Sequence, residues 1–193
     1  QQTAGEMLLT EDATDGSNVS WYEVAMSVLA SGTSKAYVTV SATQATTKDT
    51  ALGGKSIEVS IDGVHYYQSL VLTFDPTATS GAEEWARTQK VYVRAASDTA
   101  AEGERVAMIS YSVMSDNPAF NKLQIANVQV KVIDNDMPAL IIRQTDGSTR
   151  VTEGNANGDT YSIALTKAPA IGEIVKVKLG FDANQLKAES FST

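Results

Sequence analysis

The chain has 193 residues, 42% of them hydrophobic, which is enough to bury a core and is not typical of a disordered segment. Its formal net charge of −8 argues against nucleic acid and anionic membrane surfaces as partners, because both are bound by clustered lysines and arginines. The absence of cysteine excludes disulfides, cysteine-ligated zinc and thiol catalysis. No apolar run approaches the roughly 18 residues of a membrane helix, so no membrane insertion is expected.

Alternation of apolar and polar residues with a period of two predicts strands along most of the chain. Asp62-Gly63 predicts a two-residue hairpin turn, with the return strand beginning at His65. Helix is predicted to be minor, with at most one turn over residues 83–87. Because strands recur at intervals of roughly 8–15 residues, we predict an all-β fold, a sandwich or a barrel. In chain order, the predicted strands are residues 21–28, 35–41, 56–61, 70–74, 89–95, 106–113 and 128–133.

A boundary is predicted near residue 136, where the strand ending at Ile133 gives way to Pro138 and a fresh apolar stretch. Proline does not continue a central strand, so the chain is expected to leave the sheet here. An internal repeat begins at the same place, because residues 7–10, 15–17 and 22–26 match residues 140–143, 146–148 and 161–165. We therefore predict one repeat over residues 1–136 and the N-terminal part of a second over residues 137–193.

The second predicted repeat holds only about three strands. Half a sandwich leaves an apolar face and open strand edges uncovered, and it is not expected to be stable alone. We expect the sequence to be a piece of a longer protein, or the second repeat to be completed by a strand from a partner.

Several segments of the chain follow one another in a recognisable order and spacing: residues 72–74, Trp85, 91–95, Asp98, 102–104, 109–113 and 128–136, followed by 145–148 and 151–154. Together they resemble repeats of the Calx-beta family. The likeness covers residues 70–180 well and the first 65 residues poorly, and no single segment is specific. It implies a seven-stranded, immunoglobulin-like sandwich, as found in sodium/calcium exchangers, integrin β4 and long bacterial surface proteins. The chain is most similar to the bacterial arrays, so the expected fold is tandem Calx-beta-type sandwiches with an incomplete second copy.

The same resemblance implies a calcium site at the end of the first repeat that faces the second. Calcium is bound by six to eight oxygen ligands, which carboxylates from converging loops supply. Asp98 lies in a less acidic run than in the calcium-sensing members, and an Asp-Asn-Asp sequence stands where they have three aspartates. Asp-Asn-Asp before proline is also ordinary turn chemistry, so a purely structural role stays open. The implied ligands are Asp98, Glu102, Glu104, Asp134, Asn135 and Asp136, with Glu153 approaching from the second repeat.

Signals for catalysis are weak, and we expect no enzyme activity. His65 is the single histidine and lies in a strand pattern, and no Gly-x-Ser-x-Gly elbow is present. The Gly53-Gly54-Lys55-Ser56 segment is similar to the end of a phosphate-binding loop, but a strand rather than a helix follows it. Trp21 and Trp85 are predicted to fill the sandwich core rather than to stack on sugars.

Two functions are compatible with these features. The first is a spacer repeat of a large extracellular or cell-surface protein, such as an adhesin, surface layer or filament, stiffened by calcium between repeats. Its partners would be neighbouring repeats of the same chain, and other copies in a filament or surface lattice. The second is a binding module that recognises a glycan or a protein through loop ends or through exposed Tyr66, Tyr67 and Trp85.

Overall fold

The computed structural model describes residues 7–13, 16–26, 32–51, 53–81, 83–154 and 157–187, and it confirms the all-β prediction. The helical elements in this part of the chain are short: α1 spans Thr47–Ala51, which was not predicted, and one 3-10 turn spans Thr145–Gly147. None of its helices has the length and apolar character needed to cross a bilayer. The strands are β1 (Met7–Thr10), β2 (Val19–Val24), β3 (Ala36–Ala42), β4 (Ile57–Ser60), β5 (Ser69–Phe74), β6 (Gln89–Ala95), β7 (Arg105–Ser115), β8 (Val128–Ile133), β9 (Leu140–Gln144) and β10 (Tyr161–Leu165).

The first eight strands form two sheets, which together are called the two-sheet unit below. One sheet has five strands in the order β1-β8-β7-β3-β5, and the other has three in the order β2-β6-β4. All pairs are antiparallel except β1 and β8, which run parallel from Met7 opposite Val130 to Thr10 opposite Ile133. The first and last strands of the unit therefore lie side by side and end at the same place.

The two sheets share one hydrophobic core, which strand alternation builds. Every second residue of β3 is buried, and so is every second residue of β6 from Val91 onwards. Trp85, in the connection between β5 and β6, is 4% exposed and closes the core. Its ring packs edge-on against Phe74 and Phe120, at centroid distances of 6.4 and 5.2 Å. The prediction that Trp85 fills the core is confirmed.

The same prediction is wrong for Trp21, whose side chain is 51% exposed on the outer face of the three-stranded sheet. Adjacent residues of a strand point to opposite faces, so only one of Trp21 and Tyr22 can enter the core. Tyr22 does so, and it is 8% exposed with its ring edge-on to that of Tyr111. Trp21 is instead covered by Lys90, whose Nζ lies 3.8 Å from the ring centroid.

The predicted two-residue hairpin at Asp62-Gly63 is also wrong. The Asp62 carboxylate accepts hydrogen bonds from the backbone N–H groups of Val64 and His65, each at 2.8 Å, which organises a wider turn. The return chain makes a single bridge, between Val59 and Tyr67, before it crosses to the other sheet as β5. The signal for a turn was correct, but the turn does not join two paired strands.

Strands β9 and β10 form a separate two-stranded antiparallel sheet after the predicted boundary. Ile141 of β9 is 4% exposed, whereas Ile142 next to it is 52% exposed. No strand is present among residues 167–187, where several apolar side chains are exposed. Residues 27–28 of the predicted strand 21–28, and Asp15 of the predicted internal repeat, lie outside the described residues.

Candidate metal centre

Three segments of the two-sheet unit meet at one end of it. Glu11 directly follows β1, and Asp134 directly follows β8. Because β1 and β8 are parallel neighbours, these two positions are adjacent, and the Glu11 N–H donates to the Ile133 carbonyl at 3.0 Å. The connection from β6 to β7, residues 96–104, arrives at the same end because β7 is antiparallel to β8.

Five carboxylates converge there and are called the acidic cluster below. The ligand oxygens of Glu11, Asp98 and Glu102 all lie within 4.8 Å of one another, and so do those of Glu11, Asp134 and Asp136. Glu11 belongs to both groups and is therefore the centre of the cluster. Several carboxylate oxygens at this spacing are the ligand set that a hard divalent cation takes in proteins.

Backbone N–H groups fix two of these carboxylates in place. Oδ2 of Asp134 accepts hydrogen bonds from the N–H groups of Glu102 and Gly103, both at 2.6 Å, and Oδ1 accepts one from Asp136 at 2.6 Å. Asp98 accepts from the N–H of Lys55 at 2.6 Å and that of Ala100 at 2.8 Å. The loops are thus tied to one another through the carboxylates, and the cluster is built into the fold.

Other oxygens of the cluster are buried without a hydrogen-bond partner. Glu11 is 1% exposed, and its Oε2 makes no hydrogen bond. The same holds for Oδ2 of Asp136 and for Oδ1 of Asn135 between the two aspartates. A buried polar atom left unsatisfied costs about 1–3 kcal/mol, and more when charged. A cation coordinated by these oxygens would remove that cost.

The electrostatics at Glu11 reflect the crowding of negative charge. Burial raises the pKa of Glu11 to about 7; Arg105 counteracts this increase, and the charges of Asp98, Asp134 and Asp136 add to it. The charged form of this carboxylate is therefore poorly stabilised by the protein alone.

Arg105, the first residue of β7, provides positive charge within the cluster. Its Nη2 lies 2.7 Å from Glu11 Oε1, and its Nη1 forms an ion pair with Glu102 Oε2. Nη2 also donates to the backbone carbonyl of Lys55. A Cβ at Gly54, next to Lys55, would overlap the Glu102 carboxylate. This loop therefore covers the cluster closely enough to require glycine.

The structure brings four of the seven sequence-predicted ligands into the acidic cluster: Asp98, Glu102, Asp134 and Asp136. Asn135 lies between two of them in the chain. Glu104 is exposed and pairs with Lys131 at 2.9 Å, and Glu153 is exposed and belongs to neither group of three acids.

Sequence reasoning missed Glu11 and Arg105. The available signal was modest: an acid immediately behind a strand, and a lone arginine behind the Glu102-Gly103-Glu104 run. Neither position becomes informative until the pairing of β1 with β8 is known.

The acidic cluster adjoins the β9–β10 hairpin. The Nη2 of Arg143, on β9, donates to the hydroxyl of Thr10 at 2.8 Å and to that of Ser17 at 2.6 Å. Thr10 immediately precedes Glu11, so the cluster and this contact share one piece of backbone.

A second group of side chains lies on the outer face of the three-stranded sheet. Trp21 and Tyr92 are cross-strand neighbours, and Lys90 lies over both rings. The guanidinium of Arg94 lies 4.2 Å from the centroid of Tyr66 and also pairs with a neighbouring glutamate. These aromatic rings already carry cationic partners from the same sheet.

The chain matches no protein-family model, and no curated protein matches it significantly. The Calx-beta resemblance thus depends on the segments quoted above, whereas the acidic cluster is defined by its geometry.

Proposed function

We propose that the chain is a structural repeat segment of a large extracellular or cell-surface protein, and that its acidic cluster binds a calcium ion which stiffens the joint to the next repeat. In this proposal the two-sheet unit is a Calx-beta-type, immunoglobulin-like sandwich, and the β9–β10 hairpin begins the following copy.

The observation that carries the proposal is the position of Glu11. Its carboxylate is almost fully buried, has an oxygen without a hydrogen-bond partner and lies within ligand distance of both groups of acids. Arg105 pairs with only one oxygen of this carboxylate. A turn that needs only a capping carboxylate does not bury a second one beside it with an oxygen left unsatisfied, because burying a polar or charged group is costly unless its hydrogen bonds are made.

Calcium is favoured by the donor chemistry. The cluster offers carboxylate oxygens, with the Lys55 carbonyl nearby, and the protein has no cysteine and a single histidine. Softer metals prefer thiolate and imidazole ligands, whereas calcium takes several oxygens at flexible geometry. The spread of carboxylates over three loops suits calcium better than magnesium, which requires near-ideal octahedral geometry and retains most of its water.

The spacer role is supported by the connection between the two units. Six residues, 134–139, link β8 to β9. Asp134 and Asp136 belong to the acidic cluster, and Asn135 lies between them. An ion bound at Asp134 and Asp136 would fix the start of this linker, and Arg143 already ties β9 to the Glu11 side of the cluster. Other repeats of the same protein, and copies in a filament or lattice, are the partners this role implies.

Thermal unfolding of residues 1–193 in calcium chloride and in EDTA tests the proposal. A ligand at a hundred times its Kd adds about 2.7 kcal/mol to the folded state. For a chain of this length that corresponds to a Tm increase of about 5 °C or more. The double variant Glu11→Gln with Asp136→Asn removes the negative charge of two carboxylates that each have an unsatisfied oxygen. It is expected to abolish the increase in Tm.

Glu104→Gln is the matched control, because Glu104 is an exposed acid in the loop that carries Asp98 and Glu102, and it pairs with Lys131. It is expected to keep the full calcium effect. If the unfolding curves of the wild-type protein in calcium and in EDTA superimpose, the cation site is rejected. The acidic residues would then only stabilise the turns in which they lie.

The alternative is a binding module for a glycan or a protein, and the exposure of Trp21 (51%) and Tyr67 (56%) supports it. It has less support, because Lys90 and Arg94 occupy ring faces of Trp21 and Tyr66, and Trp85 is in the core. Glycan-array binding that is lost in Trp21→Ala would favour this alternative.

A further inference from the structure

Arg105 lies among the oxygens that a cation would use. We propose that Arg105 is a built-in counter-cation: it holds the acidic cluster together in the metal-free protein, and a divalent cation must displace its guanidinium from Glu11 and Glu102 to bind. This inference extends the function proposed above and takes the acidic cluster as the cation site.

The contacts of Arg105 define this role. Its guanidinium reaches Glu11 Oε1 at 2.7 Å, forms an ion pair with Glu102 Oε2 and donates to the Lys55 carbonyl. The side chains of Glu11 and Glu102 are 0% and 3% exposed, and that of Arg105 is 18% exposed. The pairing is therefore largely shielded from water. Ionic interactions are stronger in such a buried environment than in solvent.

The partners of this guanidinium are the donors of a calcium shell. Two carboxylates and a backbone carbonyl are typical calcium ligands. A guanidinium and a dication cannot share these oxygens at contact distance, because both are positive and the site screens little of their repulsion. Occupancy by Arg105 and occupancy by the ion are thus alternatives.

The guanidinium is also incompletely satisfied. Its Nε is buried without a hydrogen-bond partner, and the five acids of the cluster outnumber the one guanidinium that pairs with them in the described structure. Arg105 therefore offsets only part of the negative charge, which leaves the cluster able to attract an ion. The side chain is partly open to solvent, so it can leave without unfolding the strand.

Two effects follow from displacement. Arg105 preserves the end of the two-sheet unit when no ion is bound, and it weakens calcium binding, because its contacts are lost on binding. Extracellular calcium sites commonly have Kd values of about 10⁻⁴–10⁻³ M, and a resident arginine would place this site in that weak range.

Calorimetric titration of calcium chloride into full-length wild type, Arg105→Gln, Arg105→Lys and Arg94→Gln tests the inference. In Arg105→Gln the Kd is expected to fall by about tenfold or more, and the metal-free Tm is expected to fall as well. Arg105→Lys keeps the charge and is expected to stay near the wild-type Kd. Arg94→Gln removes the same charge from an ion pair with Glu58 on the outer sheet face, and its Kd is expected to be unchanged.

The outcomes separate this inference from the proposed function. An unchanged Kd in Arg105→Gln overturns the competition while leaving the calcium site in place. Binding by Arg105→Gln but not by wild type supports the competition and removes calcium from the native function. Binding by neither overturns both. If Arg105→Gln is unfolded in EDTA, refolding by millimolar calcium supports the competition, and failure to refold overturns it.

Discussion

At the scale of single residues, the acidic cluster depends on the close approach of the backbone of one loop to the carboxylate of Glu102. Gly54 is the clearest case, because a Cβ there would overlap Glu102 and come within 2.9 Å of the Asp49 carbonyl. One of these groups would have to move. The carboxylate of Glu102 is constrained by Arg105, and the Asp49 carbonyl accepts the Gly54 N–H at 2.8 Å.

Gly54→Ala is therefore expected to lower the free energy of unfolding by about 1–3 kcal/mol, the usual cost of overpacking a buried site. Urea denaturation at neutral pH measures the change. Gly158→Ala is the control, since its Cβ would meet nothing within 4 Å. Equal stability of the two variants would show that the loop over the cluster is not closely packed.

Residue chemistry also explains which members of the acidic cluster could be predicted from the sequence. Asp98, Glu102, Asp134 and Asp136 lie in loops next to predicted strands, and the family resemblance implied that they are ligands. Glu11 also stands beside another acid, Asp12, behind a short apolar stretch, but the resemblance covers the first 65 residues poorly and the partners of Glu11 lie far along the chain. They meet it only through the parallel pairing of β1 with β8, which strand patterns do not encode.

At the scale of secondary-structure elements, the connection from β5 to β6 completes the core. The Asp75 N–H donates to the Glu83 carbonyl at 2.7 Å, and the Trp85 N–H donates to the Asp75 carbonyl at 3.2 Å. These bonds place the indole of Trp85 between Phe74 and Phe120. A segment without regular structure thus contributes a large side chain to the core.

Trp85→Ala is expected to lower the free energy of unfolding by about 3–5 kcal/mol, as for other fully buried aromatic residues. Trp21→Ala is the matched comparison and is expected to cost about 1 kcal/mol or less, because it removes an exposed ring and one cation–π contact. Chemical denaturation followed by circular dichroism gives both values. A larger loss for Trp21→Ala would mean that the outer face, not the core, dominates stability.

Strand alternation predicted the locations of most elements, because every second residue must be apolar to cover the shared core. It could not decide which of Trp21 and Tyr22 points inward, since both are apolar enough for the core. It also missed α1, a five-residue helix that buries no side chain and so leaves no hydrophobic pattern.

At the scale of the whole molecule, Arg143 connects the β9–β10 hairpin to the two-sheet unit. Its bonds to Thr10 and Ser17 join segments that are 133 and 126 residues apart in the sequence. The internal repeat suggested a joint at this place, but the sequence gives no sign that this arginine forms it, since the partners are two ordinary hydroxyl groups.

Arg143→Gln is expected to broaden the range of hairpin orientations while leaving the Tm of the two-sheet unit nearly unchanged. The protein has no cysteine, so spin labels attached at exposed Ser112 and Ser162, each changed to cysteine, report one distance distribution. Arg150→Gln removes an equal charge from an exposed arginine of the same region and serves as the control. An equally narrow distribution in Arg143→Gln would show that other contacts hold the joint.

The parallel pairing of β1 with β8 has a mechanical consequence. Tension applied to the chain ahead of Met7 and beyond Ile133 pulls these neighbouring strands in opposite directions along their length. The hydrogen bonds between them are then loaded together in shear rather than opened one after another. Forced unfolding is governed by the barrier to that rupture. A cation bridging Glu11 and Asp134 would cross-link the two strands just past their paired residues, so dissolved calcium would set how much tension the segment withstands.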